Sequence, residues 1–429
     1  MFFVVLKKSV INALFCAFDF GESGITMRYM QNVSLHDRIW RYVLIVSVLI
    51  ATIIGVGMFG LPYAAQKAGI GVALIYLLIF GIITTIVHLF YFEVVMATPG
   101  RHRLTGYARL YLGKHWAGVT FIQEVVSLWG TLLIYTILTG KFLSLLAEYL
   151  LHFSFGHSEF LWGAIFFIIS AAVVLKGSRA VGKQEFWFSL PLIFLVLLLF
   201  YLALTSSSFS LEILFSPHLS DWIAPYGITL FALSGFSVIP SLKEIIEPVQ
   251  KRGERVIIPL IVSLGTLIPA LLYALFIIGV VGVSKQATSL DALSGLTPFL
   301  GNTIVLVGAA LGIVAIYTSF LPVADELYET FINDYRKKKA IAALFTFAPP
   351  FFLYLFHVFD FELLITITGA IMGGYVGVLV IKLFWRLEKR GETNLNLSHA
   401  FSKIIGWSII ALFIFASCYV IADTLMFLK

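Results

Sequence analysis

Gly57-Met58-Phe59-Gly60-Leu61-Pro62 and Gly235-Phe236-Ser237-Val238-Ile239-Pro240 interrupt two apolar segments in the same way, 178 residues apart. Each is a glycine followed five positions later by a proline. In lipid, a helix break frees backbone N–H and C=O groups that hydrocarbon cannot satisfy, so it persists only where protein or a water-filled cavity takes them up. Glycine permits the non-helical turn, and proline suits the first turn of the half-helix that follows, where its missing N–H costs nothing. Ser237, three residues before Pro240, stands where it can cap that second half-helix. One such break alone reads as a proline kink without function. Two at matching positions in the two halves of a chain point to one central binding site.

The surrounding sequence fixes the class. Of 429 residues, 60% are hydrophobic and 12% charged, with a mean hydropathy of +0.99, against about 25% charged in soluble domains. Apolar runs lie at 42–66, 69–97, 116–147, 160–175, 186–205, 224–246, 256–283, 303–328, 340–356, 361–385 and 404–427. A helix of about 20 residues crosses a hydrocarbon core of about 30 Å. The reading is an all-α polytopic membrane protein of eleven spans. A barrel is excluded, because barrel strands alternate apolar with polar residues and these runs do not.

The net charge of +6 implies no nucleic-acid partner once its distribution is seen. With the N-terminus in the cytoplasm, every one of the 29 Lys and Arg residues lies on the inner side except Lys67, Lys141, Lys285 and Lys429. The positive-inside rule therefore sets a cytoplasmic N-terminus and, with an odd number of spans, an extracellular C-terminus. Cys16 and Cys418 fall on opposite sides, so no internal disulfide is expected. Residues 1–38 read as a partly amphipathic cytoplasmic lead, since Lys7 and Lys8 follow an apolar start and Asp19 and Glu22 interrupt what comes next.

Shifting the first five spans by 178 residues reproduces the starts of the next five to within about ten residues. Five is odd, so the second copy enters from the opposite face. The divisions are a cytoplasmic segment 1–41, a first five-helix repeat 42–205, an extracellular loop 206–223, an inverted five-helix repeat 224–385, a cytoplasmic loop 386–403, and an eleventh helix with the C-terminus, 404–429. At each break the new helix N-terminus offers N–H groups and the preceding C-terminus offers carbonyls. That pairing suits an amino-acid zwitterion. The carboxylate is expected against amides around Phe59 to Leu61, and the ammonium against carbonyls near Gly55 and from Phe231 to Ser234.

The chain resembles the amino acid/polyamine/organocation superfamily, and within it the aromatic amino acid permeases. The residues that carry the resemblance are Ile54-Gly55-Val56-Gly57-Met58-Phe59-Gly60-Leu61-Pro62, Phe92-Glu93 with Thr98-Pro99-Gly100, Gly235-Phe236 with Ile239-Pro240-Ser241-Leu242, Thr318-Ser319-Phe320-Leu321, and Thr346-Phe347-Ala348-Pro349-Pro350. It covers about 42–427. The resemblance implies a leucine-transporter type of fold, with five-plus-five inverted repeats and broken first and sixth helices. It also implies secondary active uptake of amino acids, aromatic or large neutral ones, across the plasma membrane.

The substrate-site candidates are Gly55, Gly57, Met58, Phe59, Gly60, Tyr135, Phe231, Ser234, Gly235 and Phe236, with Trp129 beside Tyr135 on the third span. Against them stands the abundance of aromatics, 40 Phe and 18 Tyr, most of which must face lipid or pack the bundle. Tyr135 has a mid-span hydroxyl that needs a partner. In sodium-coupled members of the fold, a hydroxyl pair like Thr318-Ser319 faces carbonyls of the first broken helix, here near Ile53 to Val56. Such an oxygen cage suits Na⁺ as coupling ion. Alternatively both hydroxyls bond back to their own helix. Aromatic permeases are regarded as proton symporters, which leaves H⁺ as the other reading. Glu93 and Glu124 are then the intramembrane relay candidates, each within reach of inner water or a basic loop residue. Glu244, Glu247 and Lys243, like Asp325, Glu326 and Glu329, read as solvated or paired inner faces.

No clustered catalytic set or phosphate-binding glycine loop is present, and the nine histidines do not gather into a metal site. An enzyme, a cofactor and ATP-driven transport are therefore not expected. The partners expected are an amino acid, the bilayer, and Na⁺ or H⁺, with no obligatory protein partner. The alternative of another class is a receptor or sensor subunit of the same fold that binds an amino acid without net transport.

Overall fold

The computed structural model describes residues 35–152, 156–176, 181–210, 221–251, 256–357, 360–395 and 397–427. Cys16, the basic lead at 7–28 and most of the loop 206–223 lie outside them. The helices, in chain order, are α1 (Leu35–Ile53), α2 (Gly57–Ala68), α3 (Ile70–Ala97), α4 (Leu104–Leu112), α5 (Lys114–Leu151), α6 (Ser158–Leu175) and α7 (Val181–Thr205). They continue with α8 (Ala224–Ala232), α9 (Ile239–Lys251), α10 (Ile258–Ser284), α11 (Asn302–Glu329), α12 (Lys339–Leu355), α13 (Phe361–Lys389) and α14 (His399–Phe427).

Helical structure lies at each of the eleven apolar runs. Among the described residues, eight helices are long and apolar enough to cross a membrane, or nine when α1 and α2 count as one bent span. The other two, Leu190–Thr205 of α7 and α12, are shorter. At about 1.5 Å per residue the 17 residues of α12 reach about 25 Å, less than the hydrocarbon thickness. The chain is a multi-pass membrane protein. Its outer faces carry Leu78, Ile122, Phe194 and Ile404, each more than 60% exposed, the apolar exterior that lipid rather than water requires.

The breaks fall where expected but differ in form. The first is a 55° bend between α1 and α2. Helix resumes at Gly57, so Pro62 sits inside α2 rather than in its first turn. The second spans Leu233 to Val238 and includes a 3₁₀ turn, Phe236–Val238. There Pro240 does occupy the first turn of the following helix, α9. Ser237 lines a cavity described below.

α2 and α8 cross closely. A Cβ on Gly57 would stand 2.5 Å from Ala232 Cα, so only glycine fits this crossing. Similarly, α8 lies against α13 through Gly227 and Gly369, where a Cβ on Gly369 would meet the Gly227 carbonyl at 1.9 Å. Small residues let the backbones approach in the absence of a hydrophobic drive between helices. α5 packs on α6, α11 and α13, and α10 packs on α1, α3 and α7. The two broken helices are thereby enclosed.

Candidate functional site at the two helix breaks

Both breaks open on one cavity of about 50 Å³. From the first come Ala51, Thr52, Ile53, Gly55, Val56 and Gly57. The second supplies Phe231, Ser234 and Ser237, α5 supplies Leu128, Thr131 and Tyr135, and α11 supplies Thr318, Ser319, Pro322 and Val323. One ordered water needs about 10–15 Å³ by this measure. The space accommodates a few waters, and an aromatic side chain enters only after a wall has moved.

Nine candidate residues are thus brought together: Ile53, Gly55, Val56, Gly57, Tyr135, Phe231, Ser234 and the pair Thr318-Ser319 at α11. A Cβ on Gly55 would stand 3.1 Å from Ser319 Oγ and 3.9 Å from the Tyr135 hydroxyl. Ser319 Oγ is buried and makes no well-formed hydrogen bond. Thr318 Oγ1 donates to Ala315 O at 2.9 Å, the back-bond to its own helix, which leaves lone pairs free to accept. The pair therefore divides between the two readings: Thr318 is bonded within α11, and Ser319 is left with its oxygen on the cavity.

Other candidates go elsewhere. Phe59 is fully buried and packs edge-on against Phe142 and Phe276 at 5.1 and 6.1 Å. Gly60 faces Ile228 and Ile365, and Met58 is buried away from the cavity lining. Phe236 packs on His88 at 4.6 Å. Gly235 lies against Leu49 and Ile53. Trp129 donates from Nε1 to Phe345 O on α12 at 3.0 Å. Phe59 N donates to Val56 O at 3.1 Å, so the amides that border the break are those of Gly55 to Gly57, a turn earlier than Phe59 to Leu61.

Both relay candidates are buried but away from the cavity. Glu93 Oε2 accepts Asn394 N–H at 2.8 Å and Thr393 Oγ1–H at 3.2 Å, fastening the segment between α13 and α14 to α3. Glu124 Oε2 accepts Thr105 Oγ1–H at 2.6 Å, tying α5 to α4. Glu244 pairs with Arg101 at 3.2 Å. Glu326, expected on a solvated or paired inner face, is buried.

Two residues that the sequence did not single out hold the breaks. The Tyr273 hydroxyl of α10, fully buried, lies 2.6 Å from Ile53 O and 3.1 Å from Ala232 O. It joins the C-terminal ends of α1 and α8. His88 of α3 accepts the Gly235 N–H at Nε2, 3.3 Å away. Its Nδ1 lies 3.0 Å from Thr266 Oγ1 of α10. No signal in one sequence separates these residues from other mid-span Tyr and His.

The site is tied at both ends. At one, Lys67 of α2 pairs with Glu362 of α13 at 2.5 Å, and Lys141 of α5 with Asp291 of the α10–α11 segment at 2.7 Å. At the other, Lys243 of α9 donates to Thr98 O and to Gly100 O. Burial acts to raise the Asp291 carboxyl. Lys141 and hydrogen bonds from Ser294 and Ser289 nevertheless hold it below the ordinary carboxylate value. No group of three or more His, Cys, Asp or Glu placed to hold a metal occurs among the described residues.

The sequence profile of the tryptophan/tyrosine permease family matches residues 40–424. Among solved structures, the crystal structure of MhsT in complex with L-phenylalanine superposes with a TM-score of 0.62 at 16% identity, covering 88% of this chain and 97% of MhsT. The fold is therefore that of MhsT. No curated protein sequence matches the chain.

Proposed function

The chain belongs to the tryptophan/tyrosine permease family, and on that premise we propose that it is a secondary active symporter taking up aromatic or large neutral amino acids across the plasma membrane. Eleven spans form two inverted five-helix sets plus one helix, with the N-terminus inside and the C-terminus outside. One pair of contacts supports the inversion. His88 and Thr266, which touch, are separated by 178 residues, the same offset as the two breaks. Residues equivalent in the two repeats meet in this way beside a pseudo-two-fold axis.

The observation that carries the reading is the convergence of both breaks, Tyr135 and Ser319 on one cavity. Amides of Gly55 to Gly57 suit the carboxylate, and Tyr135 can donate to it. Carbonyls around Phe231 suit the ammonium, and Phe231 with Leu128 and Val323 forms the apolar wall for the side chain. Coupling is to Na⁺ or H⁺. The residues fit a Na⁺ ion, because Ser319, beside the Tyr135 hydroxyl, turns its oxygen to the cavity next to the Ile53–Val56 backbone and Thr318 adds a second. When bound there, the ion would stabilise the negative end of α1. Alternating access follows from the small cavity: the ties at either end must open in turn for substrate to pass.

A panel of labelled amino acids in proteoliposomes, with Na⁺ and H⁺ gradients imposed separately, tests this. Tryptophan, tyrosine or phenylalanine should exchange in counterflow and accumulate under one gradient. If all three are refused while another class is carried, the substrate assignment fails. Binding without counterflow would instead make the chain a sensor. Na⁺-driven uptake that Ser319→Ala abolishes assigns the ion to this site.

A further inference from the structure

We infer that His88 is a proton-binding site whose occupancy controls the conformation of the second break. The inference rests on the symporter reading and selects the proton as a coupling ion.

A backbone amide can only donate, so the Gly235 N–H directed at Nε2 requires that nitrogen to be unprotonated. The proton of the neutral ring is then on Nδ1 and is donated to Thr266 Oγ1. This is one fully satisfied state: α3 holds α10 with one nitrogen and the unwound backbone of the sixth span with the other. Adding a proton forms an N–H bond at Nε2 and turns both nitrogens into donors. Nε2–H and Gly235 N–H then oppose each other across 3.3 Å. The break must move until Nε2–H finds a carbonyl or water, and the Gly235 amide is released. Phe236, packed on the imidazole at 4.6 Å, shifts with it. Phe231, Ser234 and Ser237 line the cavity from the same break, so the substrate site senses the proton. Release of that proton on the other side restores the bond and completes one proton moved per cycle.

Nothing nearby neutralises an imidazolium in this conformation. Of the titratable groups on elements packed against α3, Tyr273 of α10 bonds Ile53 and Ala232, and Lys243 of α9 bonds Thr98 O. Glu244 of α9 pairs with Arg101, Lys67 of α2 with Glu362 of α13, Tyr226 of α8 lies against Ser417, and Tyr375 of α13 against Thr120. On α3 itself, the Tyr91 ring lies against Phe236. No charged side chain among the described residues hydrogen-bonds the ring. The protonated state therefore belongs to a conformation in which water reaches His88, which links proton entry to opening of the site.

The test uses the full chain in proteoliposomes with labelled tryptophan. His88→Gln keeps a donor and an acceptor but cannot titrate. Whatever exchange H88Q retains should no longer respond to the proton. Accumulation driven by one pH unit, worth up to about tenfold for a one-proton symporter, should fall to equilibrium, and the pH dependence of uptake between 5 and 8 should flatten. Undiminished accumulation in H88Q would overturn the inference. If wild-type protein fails to exchange tryptophan, the symporter reading fails separately, and ¹⁵N-imidazole NMR in nanodiscs still decides the protonation claim. The resonance absent from H88Q must convert from neutral to doubly protonated as pH falls from 8 to 5; one that stays neutral contradicts it. Should H88Q not fold, Thr266→Val removes the acceptor for Nδ1–H, which stabilises the cation more than the neutral ring. The midpoint of pH-dependent uptake should move toward acid, and an unchanged midpoint counts against His88.

Discussion

Tyr273 has one hydroxyl proton and two carbonyls within reach, Ile53 O and Ala232 O, each at a helix C-terminus where the dipole is negative. Its removal leaves both ends short of a donor in a dry interior. Tyr273→Phe should therefore lower stability by about 1–3 kcal/mol, seen as a drop in the thermal midpoint of the purified protein, and should slow counterflow more than Tyr→Phe changes elsewhere. Glu93 gives the opposite contrast. Its carboxylate anchors Asn394 and Thr393, so Glu93→Gln, which keeps an acceptor, should leave gradient-driven accumulation within about twofold of wild type. Loss of proton coupling in E93Q would identify it as a relay; Glu93→Ala should destabilise by about 1–3 kcal/mol. At this scale the sequence was only partly readable. Tyr135 and Ser319 reach the cavity because a mid-span hydroxyl needs a polar surface. Phe59 and Phe236 do not, because neighbours along a helix point in different directions. Beside the break, proximity in sequence says little about which face a ring takes. His88 and Tyr273 escaped notice since their partners are backbone groups of distant elements.

At the scale of elements, the first break is a three-residue gap and a 55° bend, and it survives because α8 comes close. Gly57 sets that approach. Gly57→Ala places a Cβ where Ala232 Cα stands 2.5 Å away, and backbone on both sides leaves no flexible group to yield. Overpacking of this kind costs about 1–3 kcal/mol. Counterflow and thermal midpoint should both fall, whereas Gly118→Ala, whose Cβ would meet nothing within 4 Å, should be silent. Equal effects of the two changes would show that the crossing is not tight. Pro62 explains why one motif gives two geometries. It lies well inside α2 after Gly57, whereas Pro240 starts α9 after a 3₁₀ turn. Spacing of Gly and Pro marks a break without specifying the residue at which helix resumes. That depends on which carbonyls the neighbours accept, Tyr273 and His88 among them.

Across the whole molecule, polar ties close both ends around an apolar, lipid-facing body. The Lys141–Asp291 pair binds α5 to the α10–α11 segment, with Asp291 also held by Ser289, Leu293 and Ser294. Its depressed carboxyl value means the folded state binds the proton less readily than the unfolded chain. The stabilisation is present above the unfolded value of about 3.9 and is lost as pH falls through the folded value. Thermal midpoints of wild type should hold steady from pH 7 to about 4 and then fall. Lys141→Gln should be less stable at pH 7, with the gap narrowing in acid. A gap constant down to pH 3 would argue against this ion pair. The sequence by itself determined the membrane class, the helical runs, the positions of the two breaks and the likeness to amino acid permeases. Those properties are set by continuous apolar length and by backbone chemistry local to Gly and Pro. Tertiary structure alone decided which side chains share the cavity, which groups Glu93 and Glu124 accept from, and that His88 and Tyr273 hold the breaks. The physical reason is that a freed backbone N–H or C=O in a membrane interior must find a partner, and that partner comes from helices far away in the chain.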